Sequence, residues 1–359
     1  MAPLSESLIE WYLLNKRDLP WRNTNNPYFI WLSETILQQT RVSQGLAYYY
    51  RFTERFPQIE DLANADIDEV LEIWQGLGYY SRGRNLHFTA KFIVDELHGI
   101  FPQNFNDLLK LKGVGQYTAA AISSFAYHED KGVVDGNVIR VISRLYQIGD
   151  DIRSPKTRQV IEKIVEDILP SGNSYLFNQA IMELGALVCL PRNPHCARCP
   201  MREYCGSFLN NSQSRFPFKS SSKPRKVRFL NYLLLEKDHS FYFSKRVSKD
   251  IWEGLYEPWL AESEICHPNP DFILEQAKNK HVIGSGGYQL IKWTPPRKHI
   301  LSHQELWVSV CHIQIDEFGA DLPGKWVPIE GLASLPKPII FSKILNDNAN
   351  PELPLILNF

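Results

Sequence analysis

The apolar positions of the chain change their period past its middle. From about residue 5 to residue 188 they recur every three or four residues, the spacing of helices that bury one face. Asn26-Pro27 reads as a cap followed by proline at the first helical position, and Tyr28, Trp31, Leu32, Thr35 and Ile36 form a stripe after it. Asp66 with Glu69 has the form of a capping box, and Val70, Leu71 and Trp74 follow as a buried stripe. A helix is predicted over 82–97 with Gly99 just past its end, and others over 116–127, 137–146, 157–169 and 175–188. Their connections are short, as packed helices require.

The stretch SFLNNSQSRFPFKSSSKPRK then changes composition and reads as a linker over 207–225. After it come strand-like segments, RFLNYLLLE, SFYFSKR, GYQLIKW and LWVSVCHIQ, with helices predicted near 271–278 and 338–345. The expected architecture is an all-α domain over 1–206 followed by an α+β domain over 226–359.

Composition sets bounds on function. The chain has 359 residues, 44% apolar and 22% charged, with a net charge of -1. Lys and Arg number 25 up to Arg225 against 24 Asp and Glu, so neither part is strongly basic. Any nucleic-acid site must rest on local cations and backbone amides. No signal peptide and no run of eighteen apolar residues is visible, which leaves the cytoplasm or nucleoid and no membrane partner.

Three places carry chemistry. Cys189, Cys196, Cys199 and Cys205 are spaced C-x6-C-x2-C-x5-C, and four thiolates so close can wrap one metal centre. Zinc and a 4Fe–4S cluster both suit this donor set, and the loop also presents Arg192, Arg198 and Arg202. The segment LKGVG, with Gly113 and Gly115, lies between a helix predicted over 106–110 and the helix over 116–127. It lacks the GxxxxGK[ST] of a phosphate loop and the third glycine of a dinucleotide fold. Helix, tight glycine turn, helix is a helix-hairpin-helix arrangement, whose freed amides can face a DNA phosphate. The third place is a pair of carboxylates. Asp135 precedes a helix and by itself is equally a cap. Glu34 sits among apolar neighbours, with Gln38 four residues on and Arg41 seven on; by periodicity alone it falls on the polar face of an amphipathic helix.

The cysteine spacing resembles the cluster loop of the endonuclease III superfamily of DNA glycosylases. The fragments DLPWR, LQQTRV, GLGYYSR, LKGVG, VVDGNV and the cysteine loop match, in order, the adenine DNA glycosylase family within it, densely to about residue 210 and more weakly beyond. The resemblance implies a helix-hairpin-helix glycosylase domain with a 4Fe–4S loop at 189–205 and a Nudix-like C-terminal domain. It implies a catalytic Glu34 that protonates adenine at N7 and then handles water, and an Asp135 that steadies the cationic sugar, with Asn137 and Tyr117 holding the site. Bifunctional relatives carry a lysine at position 117, and a phenol forms no Schiff base, so a monofunctional enzyme is expected. The flipped adenine would meet a pocket lined by Trp21, Arg22 and Leu37, while Gln39 and Tyr79 fill or wedge the gap. For Tyr79 a place in the core is an equal alternative.

In the last third, IWEGLYEPW resembles the stretch before a Nudix helix, but the acidic Nudix signature does not follow it. Nucleotide hydrolysis is therefore not expected. HILSHQ matches the family's recognition loop, with Ser302 and His303 at contact positions and Leu301 where an aromatic is common. The implied substrate is duplex DNA with adenine opposite 8-oxoguanine or guanine, bound by a monomer. The rivals are an endonuclease III-like lyase for oxidised pyrimidines and a lesion-binding protein without catalysis.

Overall fold

The computed structural model describes residues 2–221, 224–284, 286–319 and 322–341. Eleven helices are described up to residue 187: α1 (Ala2–Asn15), α2 (Pro27–Leu37), α3 (Val42–Arg55), α4 (Ile59–Asn64), α5 (Ile67–Ile73), α6 (Ser81–Leu97), α7 (Phe105–Leu108), α8 (Gln116–Tyr127), α9 (Gly136–Leu145), α10 (Pro155–Ile168) and α11 (Ser174–Leu187). Their ends follow the expected local chemistry. Asn26 Oδ1 accepts from Tyr28 N at 2.9 Å with Pro27 at the first position of α2. Asp66 caps α5 by accepting from Asp68 N at 2.7 Å, one residue short of the capping-box partner. The expected helix over 106–110 is a single turn, α7, because Lys110 and Leu111 already bond back three residues and enter the glycine turn.

The chain forms two units, and the division does not follow one cut in the sequence. The first holds Met1–Asn64 and Asn85–Ser222; the second holds Ala65–Arg84 with Lys223–Phe359. A single boundary within 207–225 was expected. Two observations explain the difference. Residues 65–84 are bonded to the sheet unit, with Asp68 paired to Lys245 and Arg84 to Glu253. The expected linker is no free tether up to 221: a short helix α12 (Gly206–Leu209) opens it, Ile152 N donates to Phe218 O at 3.1 Å, and Arg144 Nε donates to the carbonyls of Gln213 and Phe216, each at 3.1 Å.

The core of the first unit gathers α1, α9, α10 and α11, with Leu8, Val138, Ile142, Ile161, Phe177 and Leu184 fully buried. In the second unit seven strands are described: β1 (Lys226–Lys237), β2 (Ser240–Lys245), β3 (Tyr256–Glu257), β4 (Trp259–Ser263), β5 (Tyr288–Ile300), β6 (Gln304–Ile315) and β7 (Lys325–Pro328). The order is β3-β2-β1-β6-β5, with β4 on β1 and β7 on β2; β1 and β6 run parallel. β1 is central and covered on both faces, which is why its sequence is continuously apolar. Leu230, Tyr232 and Leu234 face one core, while Leu233 and Leu235 face another together with α13 (Asp271–Asn279). β5 runs longer than its apolar pattern, through Pro295 and Pro296, because it is an edge strand with a register shift between Thr294 and Arg297. β3, β4 and β7 were not foreseen, since two to five residues carry too little alternation. The helix expected over 338–345 is helical at 339–341, Pro338 precedes it without being helical, and 342–345 lie outside the described residues.

Candidate active site

Within the first unit, α2, α8, α9 and α11 surround a cavity of about 630 Å³. α2 is not the half-exposed helix that periodicity alone allows. Eight of its eleven residues are buried, Glu34 among them at 6% exposed. Gln38 ties the end of α2 to α8 by donating from Nε2 to Thr118 Oγ1 at 3.2 Å.

The glycine turn places Tyr117. Gly113 lies at φ +81°, and a Cβ there would stand 2.7 Å from Asn85 Cβ, so the position demands glycine. Gly115 is different. It is the N-cap of α8 at φ -93°, and a Cβ there would meet nothing within 4 Å, leaving the backbone open to approach. Tyr117, in the first turn of α8, then reaches across to α2, and its hydroxyl donates to Glu34 Oε2 at 2.5 Å.

Asp135 is both a cap and a cavity residue. Its Oδ1 accepts from Val138 N at 2.7 Å, and its Oδ2 accepts from Asn137 Nδ2 at 2.8 Å. Asn137 Oδ1 in turn accepts from Arg140 at 2.7 Å. Gly185 on α11 permits this arrangement, because a Cβ there would lie 2.5 Å from Asn137 Cβ. Glu34, Tyr117, Asp135, Asn137, Trp21, Arg22, Leu37 and Arg41 all line the one cavity.

Burial acts on both carboxyls, and different groups oppose it at each. Burial pushes Glu34 up to about 7, helped by the nearby Asp135 and opposed by the Tyr117 hydrogen bond and by Arg22. Burial also raises Asp135, but the amides of Val138 and Asn137, the Asn137 side chain and Arg140 all favour its charged form. Tyr117 is held well above its ordinary range by burial and by both carboxylates, so it stays a donor.

Sequence reasoning passed over Arg17 and Glu183, which form the polar floor of this cavity. Glu183 is fully buried on α11 and accepts from Arg17 at 2.6 Å and from Arg22 at 2.7 Å. Burial alone would raise its carboxyl; the two guanidiniums outweigh it and hold the group at about 2. The signal was present, for Glu183 is a lone acid in the apolar run QAIMELGAL. Gln39 does not line the cavity; it is exposed between α2 and α3 at φ +59°. In the second unit, Tyr79 is 44% exposed at φ +47°, which removes the alternative of a core aromatic. Ser302 and His303 are exposed at the tip of the β5–β6 hairpin, while Leu301 leans on the core beneath it.

The four loop cysteines are unpaired and half-buried, and they lie close enough to act on one another electrostatically. The buried Arg144 donates to Cys189 Sγ at 3.3 Å and fixes the carbonyls of Leu190 and Pro191. Four soft thiolates beside a cation fit an anionic iron–sulfur cluster, one thiolate per iron.

A helix-hairpin-helix turn, a carboxylate-lined cavity and a four-cysteine loop together define a base-excision DNA glycosylase of the endonuclease III type. Three family models match: the HhH-GPD superfamily base excision DNA repair protein over 32–167, the iron-sulfur binding domain of endonuclease III over 189–205, and a NUDIX domain over 231–347. The adenine DNA glycosylase of Buchnera aphidicola subsp. Baizongia pistaciae is 33% identical over 97% of this chain and 98% of its own length. That of Mus musculus is 43% identical over 56% of this chain and 41% of its own length. Among solved structures, a thermostable thymine-DNA glycosylase superposes with a TM-score of 0.53 at 27% identity, covering 57% of this chain and 95% of that one. A trapped endonuclease III–DNA covalent intermediate shares the fold, with a TM-score of 0.50 at 21% identity over 58% and 95%. The chain belongs to the adenine DNA glycosylase family. It is a DNA N-glycosylase of base excision repair that carries a 4Fe–4S cluster, and no described helix is long and apolar enough to cross a membrane.

Proposed function

We propose that this glycosylase is monofunctional and removes adenine lying opposite 8-oxoguanine or guanine. The observation that carries the reading is the placing of Glu34 and Asp135 in one cavity with different partners, the Tyr117 hydroxyl on Glu34 and the Val138 amide and Asn137 side chain on Asp135. Two carboxyls with unlike duties are the logic of glycoside cleavage. Adenine must leave the stack to be reached, and a cavity of about 630 Å³ has room for it. Near neutral pH Glu34 is protonated in a large fraction of molecules and gives its proton to N7, so the base departs neutral. Asp135 stabilises the oxocarbenium-like sugar, and Glu34, now a carboxylate, takes a proton from the attacking water. Tyr117 and Asn137 hold the two carboxyls, and Trp21, Arg22 and Leu37 surround the base.

Tyr117 is a phenol, which supports base release without strand cleavage. Cys189, Cys196, Cys199 and Cys205 hold the cluster, which when bound fixes the loop bearing the exposed Arg192, Arg198 and Arg202 toward phosphate. Gly113 and Gly115 shape the turn whose amides meet the backbone of the DNA. Gln39 and Tyr79 act in the gap left by the flipped base. The division of labour is a helical glycosylase unit and a Nudix-like unit whose Ser302 and His303 read the opposing base. The enzyme works as a monomer on chromosomal DNA in the cytoplasm.

The test is to incubate the protein with duplexes carrying adenine opposite 8-oxoguanine, guanine or thymine, then treat with alkali. Breaks only after alkali, and only for the first two duplexes, are expected; breaks before alkali identify a lyase, and no breaks a mere binder. Glu34→Gln should keep mispair binding and lose base release by about 100-fold or more, the size of a lost general acid. Near-parental turnover by that variant removes Glu34 from the role.

A further inference from the structure

Ala65–Arg84 carries the exposed Tyr79 and is bound at both ends by the unit it packs with. On the first turn of α5, Asp68 faces the sheet. Lys245 Nζ donates to Asp68 Oδ1 at 2.5 Å, and Tyr256 donates its hydroxyl to Oδ2 at 3.0 Å. At the other end Arg84 donates to Glu253 Oε2 at 2.7 Å and also to the Glu253 carbonyl. Gly254 beside it lies at φ +82°, where a Cβ would stand 3.4 Å from Arg84 Cδ and 3.6 Å from Leu71 Cδ1. Those are ordinary contact distances, so glycine is favoured at 254 by its left-handed backbone and not by crowding.

Between these anchors the chain turns through three residues of left-handed backbone, Gly76 at φ 96°, Gly78 at φ 71° and Tyr79 at φ 47°. Inside the turn, the buried Trp74 donates to Gly78 O at 3.1 Å, and Arg82 donates to the carbonyls of Leu77 and Gly78, each at 3.2 Å. The Arg82 guanidinium lies 5.1 Å from the Trp74 ring and 5.7 Å from the Tyr79 ring. A tyrosine in the left-handed region carries a conformational cost and persists only where its surroundings over-determine it. Here the surroundings include groups nearly two hundred residues away in sequence.

We propose that Asp68 and Arg84 are positioning residues: their bonds to Lys245, Tyr256 and Glu253 hold the Tyr79 turn in its left-handed form, so that the Nudix-like part of the chain sets how firmly Tyr79 meets DNA. The functional half rests on the reading of Tyr79 as a wedge. The pairs are partly exposed, at 35% and 28% for Lys245 and Asp68 and 25% and 34% for Arg84 and Glu253. Such pairs contribute little to global stability, so their loss should act on the turn and leave the melting temperature near that of the parent.

The test uses the full chain with Asp68→Lys, Lys245→Asp, Arg84→Glu and Glu253→Arg, singly and as the two charge-swapped pairs. Amide hydrogen exchange across 75–80 is the first readout. Each single change should speed it by roughly threefold to tenfold, the coupling of partly exposed ion pairs, and each swapped pair should restore most of the loss. Should a reversal unfold the chain, Asp68→Asn and Glu253→Gln carry the same measurement. Unchanged exchange in the singles, or no restoration in the swaps, overturns the clasp. The second readout is 2-aminopurine fluorescence beside the target adenine in a mispaired duplex, which should weaken in the singles and in Tyr79→Ala alike. A signal that survives Tyr79→Ala overturns the wedge and leaves the exchange result to judge the clasp alone. A signal lost in Tyr79→Ala but intact in singles with faster exchange overturns the link between the two.

Discussion

Removing the Tyr117 hydroxyl offers the sharpest probe of the site. In Tyr117→Phe the ring keeps its volume, but the 2.5 Å donor to Glu34 Oε2 is gone. That bond favours the charged carboxylate and works against the burial that already lifts Glu34 to about 7. A hydrogen bond to a charged group contributes about 1.5–3 kcal/mol. At 1.36 kcal/mol per pKa unit, its loss raises Glu34 by about one to two units. With Glu34 as the proposed general acid, the alkaline limb of the rate profile should follow its titration. The assay is single-turnover adenine release measured across the neutral and alkaline range. The limb should move upward by about one to two pH units in the variant. The parent already carries the proton on a large fraction of molecules near neutrality, so protonation itself adds at most about twofold there. Stability follows the same sign. Glu34 is raised above its ordinary 4.5, so its contribution is full below 4.5 and lost as pH rises through about 7. In Tyr117→Phe that loss shifts to higher pH. An alkaline limb that stays in place, or moves downward, would refute the claim that the phenol stabilises the carboxylate.

Glu183 answers to pH in the opposite sense: held at about 2 against an ordinary 4.5, it gives stability above 4.5 that disappears as pH falls through 2. The contribution is about 3 kcal/mol, so Glu183→Gln should melt several degrees lower at neutral pH and lose this part of the acid dependence, as read by thermal unfolding across acid buffers. Tyr117→Lys puts an amine where the phenol was, and borohydride should trap a covalent DNA adduct; no adduct means that position 117 does not face the sugar carbon. Ser302→Ala with His303→Ala should narrow the preference for 8-oxoguanine over guanine by about fivefold per lost hydrogen bond. Release from the guanine pair should stay unchanged, and an intact preference ratio would place recognition elsewhere.

The helices, the hairpin and the cysteine loop were legible because each rests on local chemistry: Asn26 before Pro27, two glycines around Val114, four thiols in one short stretch. Glu34 was legible only as a residue. Its periodicity suggested a wet face, and burial came from α2 being covered nearly all round. Arg17, Arg22 and Glu183 meet across more than 160 positions of sequence, and no window-based pattern reports such a meeting. The same holds for residues 65–84, whose helical signature is plain but whose allegiance is fixed by Lys245, Tyr256 and Glu253. Short strands such as β3 and β7 exist because a neighbour supplies a hydrogen-bonding edge, which is a property of the sheet and not of their few residues.

Gly185 gives the cavity an unusual kind of rigidity. One missing carbon lets α11 press against Asn137, with 2.5 Å as the distance a methyl would have had to occupy. The width of the chamber between those helices is thus written as a blank space. Alanine there would wedge the walls apart from behind and drag the Asn137 amide off Asp135, spoiling the chemistry without touching a reacting atom. A descendant of this sequence seeking a roomier chamber would have to alter both facing positions together.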